Sequence, residues 1–206
     1  MPDTRLYLIT PSTFSLDEFA VDLEQALDSG DVACVQLRMK ESYDEDIIKA
    51  ANVLMPICHK KDVAFIINDR PDLALKVGAD GVHVGQEDVS YKEARAILGE
   101  NRIIGVTCKD SKHLAMTAGE QGADYVAFGS FFPTETKITT SSATPDILDW
   151  WQELFEIPCV AIGGITPEKA DDIAGAGADF VAVCSGVWQH EDGPAAAIKK
   201  YNQAIL

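Results

Sequence analysis

The chain has 206 residues, of which 47% are hydrophobic and 24% charged, proportions typical of a folded globular protein. Its net charge of −16 argues against a nucleic-acid partner, because surfaces that bind nucleic acids are basic. No apolar stretch approaches the ~20 residues that span a bilayer, and the N-terminus carries no secretory signal, so we expect a cytoplasmic protein without a membrane partner.

Eight apolar runs of strand length follow one another along the chain, with helical patterns between them. They lie at 5–10, 33–38, 64–69, 81–85, 103–108, 125–129, 159–164 and 180–185. Near-continuous apolar runs are typical of parallel strands that are buried on both faces. The regular alternation predicts an α/β fold, a single (β/α)8 TIM barrel that covers residues 1–206 as one domain, with a doubly wound open sheet as the alternative.

Helix ends have their own signals. The phrase Gly-Ala-Asp recurs at 78–80, 122–124 and 177–179, and its glycine predicts a left-handed C-cap. Helix starts are predicted by capping boxes at Ser15–Glu18 and Ser42–Glu45 and by the N-cap pair Thr166–Pro167.

The five cysteines, at positions 34, 58, 108, 159 and 184, are scattered singly, and four of them lie in apolar runs. This pattern predicts buried free thiols in a reducing compartment rather than a disulfide framework or a metal site.

Polar side chains lie at the end of the second run, on the side of the barrel where chemistry is expected. Strand alternation places Gln36, Arg38 and Lys40 on one side, which brings an amide and two cations to one volume. An ordinary basic strand end is the alternative interpretation.

Two carboxylates follow the third and fourth runs. Because neighbouring strands lie ~5 Å apart, Asp69 and Asp88 can approach one ion, and two carboxylates with water and phosphate oxygens are a usual Mg²⁺ environment. The alternative is that each aspartate caps the helix that follows it.

The later runs end in groups suited to anions. Thr107 offers a hydroxyl, the loop 133–137 (PTETK) offers two hydroxyls and an ammonium, and glycine-rich turns at 163–164 and 184–186 predict a phosphate site. His83 lies inside the fourth run, where a hydrogen-bonded core histidine is expected rather than a catalytic base. These groups together predict two anion sites in one barrel mouth.

In order and spacing, these motifs resemble those of the thiamine-phosphate synthase family. The resemblance covers nearly the whole chain and rests on five segments: QLRMK at 36–40, INDR at 67–70, DGVHVGQED at 80–88, FPTETK at 132–137 and AIGGI at 161–165. It implies a TIM-type barrel that joins 4-amino-5-hydroxymethyl-2-methylpyrimidine diphosphate to 4-methyl-5-(2-phosphooxyethyl)thiazole, with release of diphosphate.

The resemblance also implies roles for individual residues. Residues that would bind the pyrimidine diphosphate are Gln36, Leu37, Arg38, Met39, Lys40, Asn68, Thr107 and Lys137. Residues that would bind the thiazole phosphate are Thr134, Glu135, Thr136, Gly164, Cys184 and Ser185. Asp69 and Asp88 would hold the Mg²⁺ cofactor. Arg38, Lys40, Lys137 and Thr107 would act in catalysis: the three cations would stabilise the departing diphosphate, and Thr107 would contact the pyrimidine or its diphosphate.

Three positions depart from the family pattern. Met39 stands where relatives often carry an acid, and it is expected to face away from Gln36, Arg38 and Lys40. Thr107 replaces a common serine, and the segment 138–142 is unlike the family and is a candidate lid.

Other functions remain as alternatives. A thiazole tautomerase on the same fold would bind the thiazole phosphate without releasing diphosphate, another phosphate-sugar barrel enzyme would account for the glycine-rich turns alone, and a non-catalytic sensor of thiamine precursors would need no metal site. The set Arg38, Lys40, Asp69, Asp88 and Lys137 favours the synthase. Small phosphorylated molecules are the expected partners, and a homodimer is kept as an alternative to a monomer.

Overall fold

A closed barrel of eight parallel strands forms the centre of the molecule in the computed structural model, which describes residues 4–133 and 142–205. The strands are β1 (Arg5–Ile9), β2 (Val32–Leu37), β3 (Ala64–Asn68), β4 (Gly81–Val84), β5 (Ile103–Lys109), β6 (Tyr125–Gly129), β7 (Cys159–Ile162) and β8 (Phe180–Val183). They pair in chain order, and β8 closes the barrel onto β1 through Leu8 and Val183. The predicted (β/α)8 barrel is therefore confirmed, and the open-sheet alternative is wrong.

Helices follow the strands around the outside. They are α1 (Leu16–Leu27), α2 (Asp44–His59), α3 (Pro71–Val77), α4 (Tyr91–Leu98), α5 (Lys112–Gln121), α6 (Asp146–Leu154), α7 (Pro167–Gly175), α8 (Ser185–Trp188) and α9 (Pro194–Ile205). Within residues 4–133 and 142–205, no helix combines the length and apolar character needed to cross a membrane.

Strand alternation divides the core into two layers. Leu6, Leu8 and Val35 pack with helix residues in the outer layer, whereas the neighbouring Tyr7, Ile9 and Cys34 belong to a separate inner cluster. That inner cluster holds two tyrosines, Tyr7 and Tyr125, so the interior of the barrel is not purely apolar.

The glycine of the repeated Gly-Ala-Asp phrase behaves as predicted in two of three copies. Gly78 and Gly122 are left-handed C-caps of α3 and α5, with φ of 76° and 96°. In the third copy the C-cap is Ala176, and Gly177 follows it with φ of 96°. There the helix ends one residue early, and the left-handed conformation lies just beyond the cap.

The predicted helix starts were less accurate. Ser15 is the N-cap of α1 but its side chain makes no capping bond, and α2 begins after Tyr43, which moves the Ser42–Glu45 pair out of register. Both predicted capping boxes are wrong. Acidic residues in the first turns of α1 and α2 stabilise these helix starts instead, because their negative charge lies at the positive end of the helix dipole. The N-cap at Thr166 is confirmed.

A capping box forms where none was predicted, at the start of α4. Ser90 accepts from the Glu93 N–H and Glu93 accepts from the Ser90 N–H, at 3.3 and 2.9 Å.

All five cysteines are free thiols, as predicted. Four are buried, whereas Cys184 is partly exposed at the exit of β8. Burial raises the pKa of the Cys58, Cys108 and Cys159 thiols to about 12, so these groups stay protonated.

Candidate active site at the carboxyl ends of the strands

A cavity of about 500 Å³ opens where the strands end. It contains most of the polar groups that were predicted to meet there. From the pyrimidine set these are Gln36, Arg38, Lys40, Asn68 and Thr107; the predicted metal pair Asp69 and Asp88 and the phosphate group Gly164, Cys184 and Ser185 also line it. Strand alternation and closure of the barrel bring these residues together, since they come from six different strand exits.

Leu37 and Met39 lie on the other side of β2. Leu37 is fully buried, and both residues line a separate, smaller cavity together with Ile47 of α2 and Ile67. The predicted direction of Met39, away from its cationic neighbours, is consistent with this position. The structure therefore does not bring the side chains of Leu37 and Met39 to the main cavity, because successive residues of a strand face opposite ways.

Asp69 is a partly buried acid of the cavity with a raised pKa. Burial, together with the hydrogen bond and negative charge of Asp88, raises the pKa of Asp69, while Lys40 at 3.3 Å acts in the opposite direction. Its backbone is left-handed, with φ of 63°, and its N–H donates to the His83 carbonyl at 2.8 Å. The charged form of a partly buried carboxyl beside a second carboxyl is stabilised when the two share a cation.

Asp88 is held in place by the backbone. Its Oδ2 accepts from the Gly85 N–H at 2.9 Å, and a Cβ at Gly85 would lie 2.7 Å from that oxygen. The helix-cap alternative is wrong for both aspartates, because Arg70 and Ser90 occupy the N-cap positions of α3 and α4.

The donor set fits a hard divalent cation with an incomplete protein shell. Oxygen ligands from carboxylates suit Mg²⁺, which usually keeps waters and substrate oxygens as its other ligands. Among the residues that the structure describes, no group of three or more His, Cys, Asp or Glu side chains could hold a metal. Asp69 and Asp88 would therefore supply two ligands and leave the rest to water and a bound anion.

Arg38 is oriented by the loop after β1. Its Nη1 donates to the Ser12 hydroxyl at 2.8 Å, and its backbone N–H donates to the buried Thr10 hydroxyl at 2.9 Å. Sequence reasoning placed Arg38 in the site but missed Ser12, since a contact between positions 26 residues apart depends on how the loop folds back.

Lys109 is a further cation of the cavity that sequence reasoning missed. It ends β5 with φ of 56°, at an irregularity in the pairing of β5 with β6 between Thr107 and Lys109. Alternation from Thr107 was the signal that could have identified it.

The glycine turn after β7 brings backbone close to backbone. Gly163 and Gly164 have φ of 108° and 62°, and a Cβ on Gly164 would overlap the Pro133 carbonyl oxygen. Ser185 follows β8 at the first turn of the short α8. Gly163, Gly164 and Ser185 all line the cavity, and the backbone N–H groups of such a turn, with a hydroxyl, suit a phosphate.

A row of hydrogen bonds crosses the barrel beneath the cavity. Gln36 Nε2 donates to the Tyr7 hydroxyl at 2.9 Å, and the Tyr7 and Tyr125 hydroxyls lie 2.8 Å apart. His83 links Tyr125 to Thr107, with Nδ1 2.9 Å from the Tyr125 hydroxyl and Nε2 2.7 Å from the Thr107 hydroxyl. Sequence reasoning missed both tyrosines.

His83 is hydrogen-bonded on both ring nitrogens, as a core histidine was expected to be, but it also lines the cavity. Burial lowers the pKa of His83 to about 4, so the imidazole is neutral at physiological pH. Burial likewise raises the pKa of both Tyr7 and Tyr125 well above the usual value, which keeps their hydroxyls protonated.

The predicted loop residues Thr134, Glu135, Thr136 and Lys137 lie outside the described residues, as do 138–141 of the candidate lid. The last described position before them, Pro133, lies beside Gly164. Their predicted roles stay predictions.

Comparison with known proteins agrees with the geometry. The family model for thiamine monophosphate synthase matches residues 6–187. A thiamine-phosphate synthase of Rhodospirillum centenum is 62% identical over 100% of this chain and 99% of its own length, and one of Hyphomonas neptunium is 50% identical over 98% and 93%. The solved thiamine phosphate pyrophosphorylase of Pyrococcus furiosus superposes with a TM-score of 0.84 at 32% identity, covering 98% of this chain and 95% of that one. The chain therefore belongs to the thiamine monophosphate synthase family.

Proposed function

We propose that this protein joins 4-amino-5-hydroxymethyl-2-methylpyrimidine diphosphate to 4-methyl-5-(2-phosphooxyethyl)thiazole, giving thiamine phosphate and diphosphate. The observation that carries the proposal is the meeting of Asp69 and Asp88 with Arg38 and Lys40 in one cavity. Paired carboxylates for a metal beside two cations suit a diphosphate that leaves, and family membership supports the same reaction.

The diphosphate is assigned to the β2–β5 side of the cavity. Arg38 offers a planar fork of donors and Lys40 a mobile charge, so the two can follow the oxygens as negative charge develops. Gln36, Asn68 and Thr107 are assigned to the same substrate because they line this side. Lys109 adds a cation that the family resemblance did not assign.

Mg²⁺ is the proposed cofactor, held by Asp69 and Asp88. When bound, it would neutralise charge on the diphosphate. Lys40 has a second role besides contact with the diphosphate. Its ammonium lies 3.3 Å from the Asp69 carboxylate and reduces the repulsion between Asp69 and Asp88.

The thiazole phosphate is assigned to the β7–β8 side. Gly164, Ser185 and Cys184 line the cavity there, and a phosphate suits the backbone N–H groups of a glycine turn. We assign Thr134, Glu135 and Thr136 to the same substrate and Lys137 to the diphosphate on the family resemblance, because these residues lie outside the described part of the chain.

The proposed reaction needs no general base. The bond between the pyrimidine methylene carbon and the diphosphate oxygen breaks, with its electron pair going to oxygen, and the lone pair of the thiazole nitrogen forms the new carbon–nitrogen bond. That nitrogen carries no proton, so none has to be removed. Catalysis then rests on positioning both substrates and stabilising the leaving diphosphate, which is what Arg38, Lys40 and Thr107 are placed to do.

The other functions explain less of the cavity. A thiazole tautomerase or a precursor sensor needs the phosphate side alone, whereas Asp69, Asp88, Arg38 and Lys40 form a second side with no role in either. We further propose that the chain acts as one barrel domain in the cytoplasm on small phosphorylated substrates, with a homodimer as the assembly to be tested.

The proposal is tested by incubating the purified protein with both substrates and Mg²⁺ and separating the products by chromatography. Thiamine phosphate is expected only when both substrates and the metal are present. Absence of thiamine phosphate, under conditions in which the Rhodospirillum centenum synthase forms it, would reject the proposed function.

A further inference from the structure

The hydrogen-bond row beneath the cavity joins five side chains from five strands: Gln36, Tyr7, Tyr125, His83 and Thr107. Its four links measure 2.7–2.9 Å. Both tyrosines are buried, so each of their hydroxyl hydrogens needs an acceptor inside the protein. We refer to these five residues as the polar row.

The direction of donation along the polar row follows from its first link. Gln36 Nε2 can only donate, so the Tyr7 oxygen accepts there. The hydrogen of Tyr7 then has two candidates, the Tyr125 oxygen at 2.8 Å and the Cys34 sulfur, which also contacts it. Sulfur is a weak acceptor, so Tyr7 donates to Tyr125.

The remaining links then have one consistent arrangement. Tyr125 has a single hydrogen, and since its oxygen accepts from Tyr7, that hydrogen goes to His83 Nδ1. A neutral imidazole with Nδ1 as acceptor carries its proton on Nε2. Nε2–H therefore donates to Thr107, and the Thr107 hydrogen is the one left for a group in the cavity.

We propose that the polar row fixes His83 as the Nε2–H tautomer and thereby makes the Thr107 hydroxyl a hydrogen-bond donor toward the bound ligand. Tyr7, Tyr125 and His83 are thus positioning residues, which act on the ligand through Thr107. The ligand atom selected at this point is an acceptor, and a group that can only donate is rejected. The ligand part of this inference rests on the proposed function, which supplies two acceptors, a diphosphate oxygen and a pyrimidine ring nitrogen.

The Tyr125 phenol occupies space that only a glycine at position 105 leaves open. Gly105 lies on β5 between His83 and Tyr125 in the register of the sheet, and a Cβ there would overlap the Tyr125 phenol oxygen and ring. The φ of Gly105 does not demand glycine, so the need is steric. A side chain at this position would displace the central member of the polar row.

The tautomer can be measured without any activity. We suggest ¹⁵N NMR of the protein labelled on its histidine rings, at neutral pH, with the His83 signals assigned through their loss in His83→Asn. The expected spectrum has a protonated Nε2 and an unprotonated, hydrogen-bonded Nδ1. A protonated Nδ1, or two averaged signals, would overturn the proposal whether or not the protein is a synthase.

Tyr125→Phe removes the donor to Nδ1 and leaves the ring in place. We expect the two His83 nitrogen signals to move toward each other, because the tautomer is no longer fixed. The matched control is Tyr91→Phe, whose hydroxyl donates to the Gly122 carbonyl on the surface and which should leave the His83 signals unchanged. An unchanged His83 spectrum in Tyr125→Phe would overturn the proposal.

Kinetics and binding test the effect on the ligand. In Tyr125→Phe, kcat/KM for the pyrimidine diphosphate should fall about 5-fold, the size of one net hydrogen bond, with the KM for the thiazole phosphate unchanged. An equal loss for both substrates would contradict a positioning role.

Two ligands, inorganic diphosphate with Mg²⁺ and the hydroxymethylpyrimidine without phosphate, distinguish the two acceptors. Thr107→Val, which removes the donor, should weaken the binding of one of these two ligands, and Thr107→Ser should restore it. If Thr107→Val weakens neither ligand, the donor assignment is wrong.

Discussion

At the scale of single residues, the site holds two carboxylates side by side. Asp69 and Asp88 are close enough to raise the pKa of Asp69, and Lys40 compensates in part. Such an arrangement is costly for the empty protein and useful to an enzyme that binds a cation there.

Substitution of Asp69 by asparagine separates the cost of the two carboxylates to stability from their use in binding a cation. We expect Asp69→Asn to lower kcat by about 100-fold or more, the range for loss of a charge stabiliser, and to weaken Mg²⁺ binding in calorimetry. Without metal, its melting temperature should be no lower than that of the wild type, because the repulsion with Asp88 is gone.

Asp72→Asn is the matched control, since Asp72 pairs with Arg70 outside the cavity. Near-normal Mg²⁺ affinity in Asp69→Asn would contradict the metal assignment.

Ser12 provides a second test at this scale. Its hydroxyl accepts from Arg38 Nη1 at 2.8 Å, so Ser12→Ala should lower kcat/KM for the pyrimidine diphosphate about 5-fold. Steady-state kinetics for both substrates measure it. Ser29→Ala, which removes a hydroxyl bonded to the Gln25 carbonyl on α1, should have no such effect, and an equal loss in both variants would show that Arg38 does not depend on Ser12.

Alternation and loop position were enough to predict the main charged residues of the cavity from the sequence. Gln36, Arg38 and Lys40 follow from the period of a strand, and Asp69 and Asp88 from the proximity of neighbouring strand ends. Tyr7 and Tyr125 could not be found this way, because their contact joins strands 118 residues apart and exists only once the barrel closes.

At the scale of elements, the repeated Gly-Ala-Asp phrase joins each helix to the strands beside it. The aspartates of the three copies accept from the N–H groups of Phe65, Ile104 and Cys159 at 2.7, 2.8 and 2.8 Å. Each carboxylate therefore binds the amino end of the preceding strand, at the end of the barrel away from the cavity. The glycine's role was predictable from local chemistry, but the aspartate's partner lies 15 to 20 residues away.

Asp124→Ala tests this structural role. The Ile104 N–H would lose its acceptor inside the protein, so the free energy of unfolding should fall by about 1–3 kcal/mol. The partly exposed ion pair with Arg95 adds little to this. Chemical denaturation measures the change, and KM values should stay the same. Asp22→Ala, at an exposed position on α1, is the control; equal stability of the two variants would refute the role.

Helix starts were harder to predict than strands. The Ser42–Glu45 pair has the composition of a capping box, yet α2 begins two residues after Ser42, so Glu45 cannot take the third position of the helix. Helix ends depend on where packing places the first turn, and sequence patterns locate them only approximately.

At the scale of the whole molecule, an acidic protein must bind an anionic ligand. The net charge of −16 repels a diphosphate at long range, so binding depends on the local cations and the proposed metal. Of the described cations, Arg38, Lys40 and Lys109 line the cavity.

Because diphosphate binding depends on the proposed metal, the two together should stabilise the folded protein. Mg²⁺ and inorganic diphosphate together, at about 100 times their dissociation constant, should stabilise the protein by about 2.7 kcal/mol. For a chain of this size that raises the melting temperature by roughly 5–10 °C. Either ligand alone should give much less. Differential scanning fluorimetry measures the shift, and equal effects of diphosphate with and without Mg²⁺ would contradict a shared site.

The most direct test of the central claim is the stoichiometry of the two products in one reaction. Thiamine phosphate and diphosphate are quantified from the same quenched samples of the wild-type protein, supplied with both substrates and Mg²⁺. A synthase that couples departure of diphosphate to attack by the thiazole forms them in a 1:1 ratio, and neither accumulates when the thiazole phosphate is left out. Release of diphosphate without thiamine phosphate, or formation of neither product, would contradict the account.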